Sequence, residues 1–414
     1  MVIKICKSVH KRGEHFDSRH DLEFLDVVPS YERDTKRDLK NLRLASQTTC
    51  EAATPYFFRD FDARTPVCRD TTAAEWRQTL LGFSERPWLK YVRTLKIGTR
   101  DRNEAFGLPD TARSGLRDRC LVAYAYAIPA FARNCSALQA IRAQIDTAHV
   151  GFTADGEPGW QRDLLLLTIA NTLRECPRTI ASLEISLPLT LDFQMLRRWI
   201  VKTPALLDLI SQLASISLTV NDATGHGGVR YWETSESENQ RQYPNQQYQA
   251  GLWDFVQLVP IPSALAIQCT HICDFTRLSH TSFKKLQELK LFRVEISSNT
   301  MERVVRESST SLRAIELDFV ELTSGTWSAV LTTLCSLPDL LHCYVDSCGY
   351  SATGTSSHFR RPLLPEPDDP EAIETLNVRQ DSAALRAVQR HVNSLRKRRS
   401  LEQYSEYEYR YMNI

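Results

Sequence analysis

The apolar positions of the chain repeat a short motif in which one apolar residue is followed three residues later by two more, spaced two apart. The clearest copies begin at Leu286, Leu312 and Leu340. Alternate residues of a strand point to the same side, so each copy predicts a strand with one buried face. Helical apolar spacing between the copies predicts amphipathic helices. Each repeat contains one strand and one helix, and the helix can bury its apolar side only against neighbouring repeats. This indicates a solenoid.

The same motif occurs upstream with wider gaps. Taking its second apolar residue as a marker, we expect strands around Leu95, Ile141, Leu183, Ile216, Leu265, Leu289, Ile315 and Cys343. Apolar helices are predicted between the upstream strands, at 116–131, 160–176 and 191–209. The numbers of residues between successive markers are irregular. They favour an α/β fold of one kind, an irregular leucine-rich-repeat-like solenoid over residues 63–350. A generic α/β domain is the alternative, because its buried parallel strands give similar apolar runs.

Three stretches have few apolar residues and are predicted to be exposed. Two are inserts in the repeat region, at 98–114 and 221–249. The third lies at 348–380. Residues 351–414 are predicted to form a flexible tail, which contains one helix near 382–398. An insert on a repeat scaffold is either a loop that contacts a partner or a tolerated surface insertion.

The helix predicted in the tail has an apolar stripe and a basic end. Asp381 and Ser382 are the expected cap, and Arg396-Lys-Arg-Arg399 closes the helix. Cations in a last turn interact favourably with the helix dipole. The same basic run is also compatible with a nuclear-import signal.

Composition narrows the possible partners. The 414 residues contain 51 Lys and Arg against 50 Asp and Glu, a net charge of +1, which provides no general attraction for nucleic acid or an anionic membrane. No apolar run is long enough for a membrane helix, and the first residues do not resemble a signal peptide. The 11 cysteines are scattered without a CxxC pair, so we expect reduced thiols and a cytoplasmic or nuclear protein, or both.

One recognisable sequence motif is Asp38-Leu39-Lys-Asn-Leu42-Arg-Leu44, followed by Pro55-Tyr-Phe57-Phe58. It resembles the second half of an F-box, as found in proteins of filamentous fungi. The resemblance implies a degenerate F-box-like helical segment at 22–62, preceded by a flexible N-terminus at 1–21. It further implies an adaptor that docks on the linker subunit of a cullin-RING (SCF-type) ubiquitin ligase and holds an unknown target protein on its repeats. Residues Leu39, Leu42, Leu44, Pro55 and Phe57 would then bind the ligase.

In the alternative to ligase docking, the same apolar residues have only a structural role. The N-terminal helices would only cap the first repeat of the solenoid, and the protein would be a non-catalytic interaction scaffold without a role in ubiquitin transfer.

Motifs for catalysis or metal binding give little support to an enzyme. Cys269, His271 and Cys273 form a tight cluster, but a zinc site needs about four ligands, so a buried strand is the preferred interpretation. The sequence contains no GxSxG, GxxxxGK[ST] or HExxH motif. We therefore expect no enzymatic activity, no cofactor and no metal. An active site assembled from residues distant in sequence remains an alternative.

Overall fold

The computed structural model describes residues 40–41, 47–64, 78, 81–83, 85–99, 110–145, 159–221, 241–275, 278, 281–318, 320–346, 348–350 and 376–404. The chain forms two compact units, one of Met1–Ser186 with Lys202–Leu209, and one of Leu187–Val201 with Ile210–Ile414. Both are mixed α/β and built on parallel strands, as in an α/β solenoid. None of the described helices is long and apolar enough to cross a membrane.

In the first unit, parallel strands alternate with helices. Its elements are α1 (Gln47–Phe57), β1 (Asp60–Asp62), a 3-10 helix (Pro87–Tyr91), β2 (Thr94–Gly98), α2 (Asp110–Asn134), β3 (Ala140–Gln144), α3 (Trp160–Glu175) and β4 (Ser182–Leu187). The strands β1 to β4 pair in chain order, and the markers Leu95, Ile141 and Leu183 are direct register partners. All three are fully buried, so the apolar side of the strands faces the core.

In the second unit, parallel strands again alternate with helices. Its elements are α4 (Thr190–Val201), β5 (Ser215–Val220), α6 (Asn245–Tyr248), α7 (Ala250–Val256), β6 (Ala264–Asp274), β7 (Glu288–Ser297), α8 (Ser298–Glu307), β8 (Ala314–Asp318), β9 (Glu321–Ser324), α9 (Trp327–Leu334), β10 (His342–Asp346), β11 (Gly349–Tyr350) and α10 (Leu376–Arg398). A further helix, α5 (Pro204–Ser211), spans the sequence boundary at Leu209.

The markers of the second unit also lie in register. Leu265 pairs with Leu289, which pairs with Ile315, which in turn pairs with Cys343. A smaller parallel set joins β7, β9 and β11. The three clearest copies of the sequence motif are therefore neighbouring parallel strands, as the spacing predicted.

A repeated hydrogen-bond arrangement joins neighbouring strands within each unit. The carbonyl just before one strand accepts the N–H groups of two consecutive residues at the start of the next strand; for example, Arg313 O accepts from Leu341 N at 2.8 Å and His342 N at 3.0 Å. The carbonyls that do this belong to Arg59, Arg93 and Gln139 in the first unit, and to Ala214, Ser263, Gln287 and Arg313 in the second. This repetition fixes the register of each new strand on the previous one.

Gly98 shows how closely neighbouring strands approach at their ends. Its φ is 113°, and a Cβ added there would lie 1.7 Å from the carbonyl oxygen of Gln144. A side chain is therefore excluded by both conformation and space. Gly98 N donates to the hydroxyl of the buried Tyr124 at 2.5 Å. Burial raises the pKa of Tyr124 far above its usual value, so this hydroxyl stays neutral and can accept the bond.

Two expectations about helices need correction. The predicted helix at 191–209 is two helices, α4 and α5, because Pro204 lacks the N–H that a continuous helix needs. The tail helix α10 contains the predicted interval 382–398 but begins earlier, at Leu376. Asp381 is therefore not a cap for its own helix. Its carboxylate accepts from Ser328 N at 2.7 Å, at the start of α9.

The predicted inserts also differ from the structure at their edges. Helix α2 begins at Asp110, inside the stretch 98–114, while residues 100–109 lie outside the described residues. Residues 222–240 of the second stretch are likewise not described. Asn245 within it is 1% exposed and holds Thr190, whose N donates to Asn245 Oδ1 at 2.8 Å. A polar sequence here is buried because its amide is hydrogen-bonded.

Candidate interaction surfaces

Two of the five predicted ligase-binding residues fall in the described part of the chain. Pro55 and Phe57 lie in α1, and both are partly buried. Leu39, Leu42 and Leu44 lie outside the described residues, as do 1–21 and most of the segment 22–46. The docking role of these residues stays a prediction.

Helix α1 is joined to the first unit by aromatic contacts. The rings of Phe58 and Trp88 stack with centroids 4.3 Å apart, and Phe57 meets Phe58 edge-on at 5.0 Å. Phe61 on β1 contacts Trp88 at 5.3 Å and Phe131 of α2 at 4.8 Å. Such pairs contribute about 0.5–1.5 kcal/mol each beyond the area they bury, so α1 is anchored directly to the start of the strand series.

The outer side of the first unit's strands carries charged residues in register. Asp62, Lys96, Arg142 and Glu184 occupy one row across β1 to β4. Arg142 and Glu184 form an ion pair at 3.0 Å in which both side chains are 43% exposed. Exposed pairs of this kind contribute little stability.

The outer side of the second unit's strands combines charges with aromatic rings. We call the row Ser217, Ala266, Lys290, Glu316 and Tyr344, which are successive register partners on β5 to β10, the outer row. Small side chains occupy β5 and β6, and long ones occupy β7 to β10. Among these long side chains, an aromatic one such as Tyr344 is of the type that is enriched in surfaces that bind proteins.

Glu316 is the electrostatic centre of the outer row. Its Oε1 accepts from Lys290 Nζ at 2.9 Å and lies 3.4 Å from His342 Nε2. Burial alone would raise the pKa of Glu316, but the hydrogen bond from His342 and the charge of Lys290 outweigh burial and hold the pKa below its usual range. Glu316 is therefore ionised at neutral pH and fixes both neighbouring side chains.

A second row of carboxylates crosses three strands. Asp274 of β6 pairs in register with Glu295 of β7, which pairs with Glu321 of β9. Glu321 is 2% exposed, and its Oε2 has no hydrogen-bond partner. Burial, with a smaller contribution from the charge of Glu295, raises its pKa to about 7. The alternating apolar pattern did not reveal Glu321, because only the strand register brings these carboxylates together.

Cysteines in the described part of the chain are either buried (Cys135, Cys269, Cys343 and Cys348) or partly exposed (Cys50, Cys176 and Cys335). Burial raises the pKa of Cys135 and of Cys343 to about 12, which makes both thiols poor nucleophiles and poor ligands at neutral pH. Cys269 is buried on β6, while the side chains of His271 and Cys273 lie outside the description. Among the residues that the structure describes, no three His, Cys, Asp or Glu side chains are grouped to hold a metal ion.

Comparison with known proteins identifies no family for this chain. No family model matches the chain, and no curated protein matches it. Among solved structures, the chain is similar to the yeast structure of the Rad7 and Elc1 complex, with 11% sequence identity and a TM-score of 0.27. The likeness covers 83% of this chain and 82% of the other. At this TM-score the likeness supports no further argument.

Proposed function

We propose that this protein is a substrate-recognition adaptor, which binds a target protein on the outer side of its parallel strands and links it to a cullin-RING ubiquitin ligase through its N-terminal segment. The observation that carries the target-binding half is the outer row, where Lys290, Glu316 and Tyr344 stand side by side on adjacent strands. Strands in register present such side chains at fixed spacing, which favours a rigid protein-binding surface.

The ligase half of the proposal has its support in the sequence resemblance at 22–62. Apolar residues such as Leu42 and Leu44 suit a helix that docks into the groove of a partner. On this proposal Pro55 and Phe57 position the segment relative to the strands, since Phe57 contacts Phe58 and Phe58 stacks on Trp88. The adaptor has no chemistry of its own, and we propose no cofactor.

A second candidate function is a scaffold without any ligase contact. The stacking of Phe58 on Trp88 favours it, because a helix that only caps the first strand would be held in this way. The two candidates share the outer row and differ in what α1 and the preceding residues bind.

Affinity purification from cells, followed by mass spectrometry, distinguishes the two functions. The adaptor requires recovery of the linker subunit and a cullin, and their loss when Leu42 and Leu44 are both changed to Asp. Leu81→Asp is the control, because it places one Asp on an exposed leucine of the first unit. Thermal melting of each variant checks folding, since a charge placed in an apolar core unfolds it.

The outcome of this experiment is clear in either direction. If neither ligase subunit is recovered with the intact protein, the adaptor is wrong and the scaffold is favoured. Changing Phe292 and Tyr344 to Ala tests the other half, because both lie on the outer side of the second unit's strands. This variant should lose the target protein and keep any ligase subunit.

A further inference from the structure

The row of carboxylates on β6, β7 and β9 contains a buried charge that no described residue balances. We call its members Asp274, Glu295 and Glu321, which are successive register partners, the carboxylate row. Glu321 is 2% exposed, and its Oε2 has no hydrogen-bond partner. Among the described residues, the charged group that acts on Glu321 is Glu295, which has the same sign. A carboxylate buried without a partner is costly when it is ionised.

The carboxylates of β7 and β9 lie on the side of the strands that faces away from the core. The residues before and after Glu295 and Glu321 are apolar and at most 1% exposed; they are Val294, Ile296, Val320 and Leu322. Since successive side chains of a strand point to opposite faces, the two carboxylates point outward. Glu295 and Asp274 are partly exposed, so a partner can reach the row from this side.

Space beside Glu321 is left on its other flank as well. Its register partner on β11 is Gly349, which has no side chain to place against the carboxylate. Glu321 therefore stands between a like charge on one neighbouring strand and a bare backbone on the other. Neither neighbour supplies a donor or a cation from its side chain.

Glu316 on β8 shows how the same chain treats a buried carboxylate that it does balance. Glu316 is 8% exposed, and it has Lys290 Nζ at 2.9 Å and His342 Nε2 at 3.4 Å. These neighbours hold its pKa below the usual range, whereas the pKa of Glu321 is raised. The comparison indicates that Glu321 lacks a cation of the kind that Glu316 has.

The chemistry of the row favours an organic cation over a metal ion. Calcium takes about six to eight oxygen ligands, and within the described ranges no three carboxylate, imidazole or thiol groups are arranged to hold a metal. An ammonium or guanidinium group needs fewer protein oxygens, because water can accept from its remaining N–H groups.

We propose that the carboxylate row binds a lysine or arginine side chain of the target protein, whose cation contacts Glu295 and supplies the countercharge for Glu321. This inference rests on the proposed target-binding function and adds the chemistry of the target, a basic segment. The cation does not have to touch Glu321, because neighbouring strands lie about 4.8 Å apart and an opposite charge within about 4–6 Å favours the ionised carboxylate.

Fluorescence anisotropy of labelled hexalysine, added to the purified full chain at pH 8, tests the proposal. Glu321 is mostly ionised at this pH, because its pKa is about 7. The chain should bind hexalysine and should not bind labelled hexaglutamate, and added salt should weaken the binding. Glu295→Gln and Glu321→Gln should each raise the dissociation constant for hexalysine by about threefold or more.

Glu288→Gln is the matched control, since it removes the same charge from an exposed position of the same strand. Glu288 lies about 20 Å from Glu295 along β7, and at about 0.1 M salt charges separated by more than about 10 Å are largely screened. This variant should change the dissociation constant by less than about twofold. Thermal melting checks the folding of all three variants.

The proposal is wrong if the wild-type chain does not bind hexalysine, or if either folded variant of the carboxylate row behaves like Glu288→Gln. The Glu321→Gln variant keeps the test valid, because glutamine retains the neutral form that burial favours. The result is separate from the test of the adaptor. Recovery of ligase subunits is measured in cells, whereas hexalysine binding is measured on the purified chain, so either can fail while the other succeeds.

Discussion

Changing Glu321 to Gln should make the protein more stable at alkaline pH and leave its stability at acidic pH unchanged. Glu321 is buried on β9 opposite Glu295, and the raised pKa means that the folded state binds this proton more tightly than the unfolded chain does. The stability contributed by the protonated form is fully present below pH 4.5. It is lost as pH rises towards 7. Glutamine keeps the neutral form at every pH.

The size of the effect follows from the two pKa values. A change from the ordinary 4.5 to about 7 corresponds, at about 1.4 kcal/mol per tenfold change in proton affinity, to about 3 kcal/mol. The free energy of unfolding of the variant, minus that of the wild-type protein, should therefore increase by about 3 kcal/mol between pH 4.5 and pH 8. Most of that increase should occur between pH 4.5 and pH 7.

Urea denaturation followed by tryptophan fluorescence measures this difference at each pH. Other titrating groups contribute equally to both proteins and cancel in the subtraction. Glu288→Gln is the control, because Glu288 is exposed on the neighbouring strand β7 and its substitution should give a nearly flat difference. A flat difference for Glu321→Gln would refute the reasoning, as would one that falls with pH, because the buried carboxylate would then carry no cost.

Three further predictions concern contacts elsewhere in the chain. Gly98→Ala should lower the free energy of unfolding by about 2 kcal/mol or more, since the added Cβ overlaps the carbonyl oxygen of Gln144. The control is Gly82→Ala, whose added Cβ has no atom within 4 Å, and it should be nearly neutral in thermal melting. Asp381→Asn should cost about 1–3 kcal/mol in urea denaturation, because a buried carboxylate at the start of α9 is lost. Alkylation by iodoacetamide at pH 8 should leave Cys135 and Cys343 unmodified in the folded protein and label both in urea, as read by peptide mass spectrometry.

The strands could be predicted from sequence because their cause is local. Each marker, such as Leu289 or Ile315, belongs to an apolar pair two residues apart, and burial of that pair against a helix is enough to define a strand face. The helix at 191–209 was predicted as continuous because its apolar spacing continues through Pro204. The missing N–H of proline weighs more than the apolar pattern there.

The rest depends on contacts between residues far apart in the chain. Asp381 and Ser382 have the composition of a helix cap, yet Asp381 caps the start of another helix, which no local pattern reveals. The burial of Glu321 opposite Glu295 likewise arises from strand register. Polar composition at 221–249 predicted an exposed insert, but Asn245 is buried because Thr190 is its hydrogen-bond partner.

Disulfide trapping across the outer row tests the central claim that consecutive repeats place their strands side by side in register. Neighbouring strands lie about 4.8 Å apart, a distance that a disulfide can bridge, and strands two positions apart lie at about twice that distance. The pair Ala266→Cys and Lys290→Cys, which are register partners, should cross-link under mild oxidation, as mapped by peptide mass spectrometry. The pair Ala266→Cys and Glu316→Cys should not. Cross-linking of the second pair without the first would contradict the fold on which the proposed function depends.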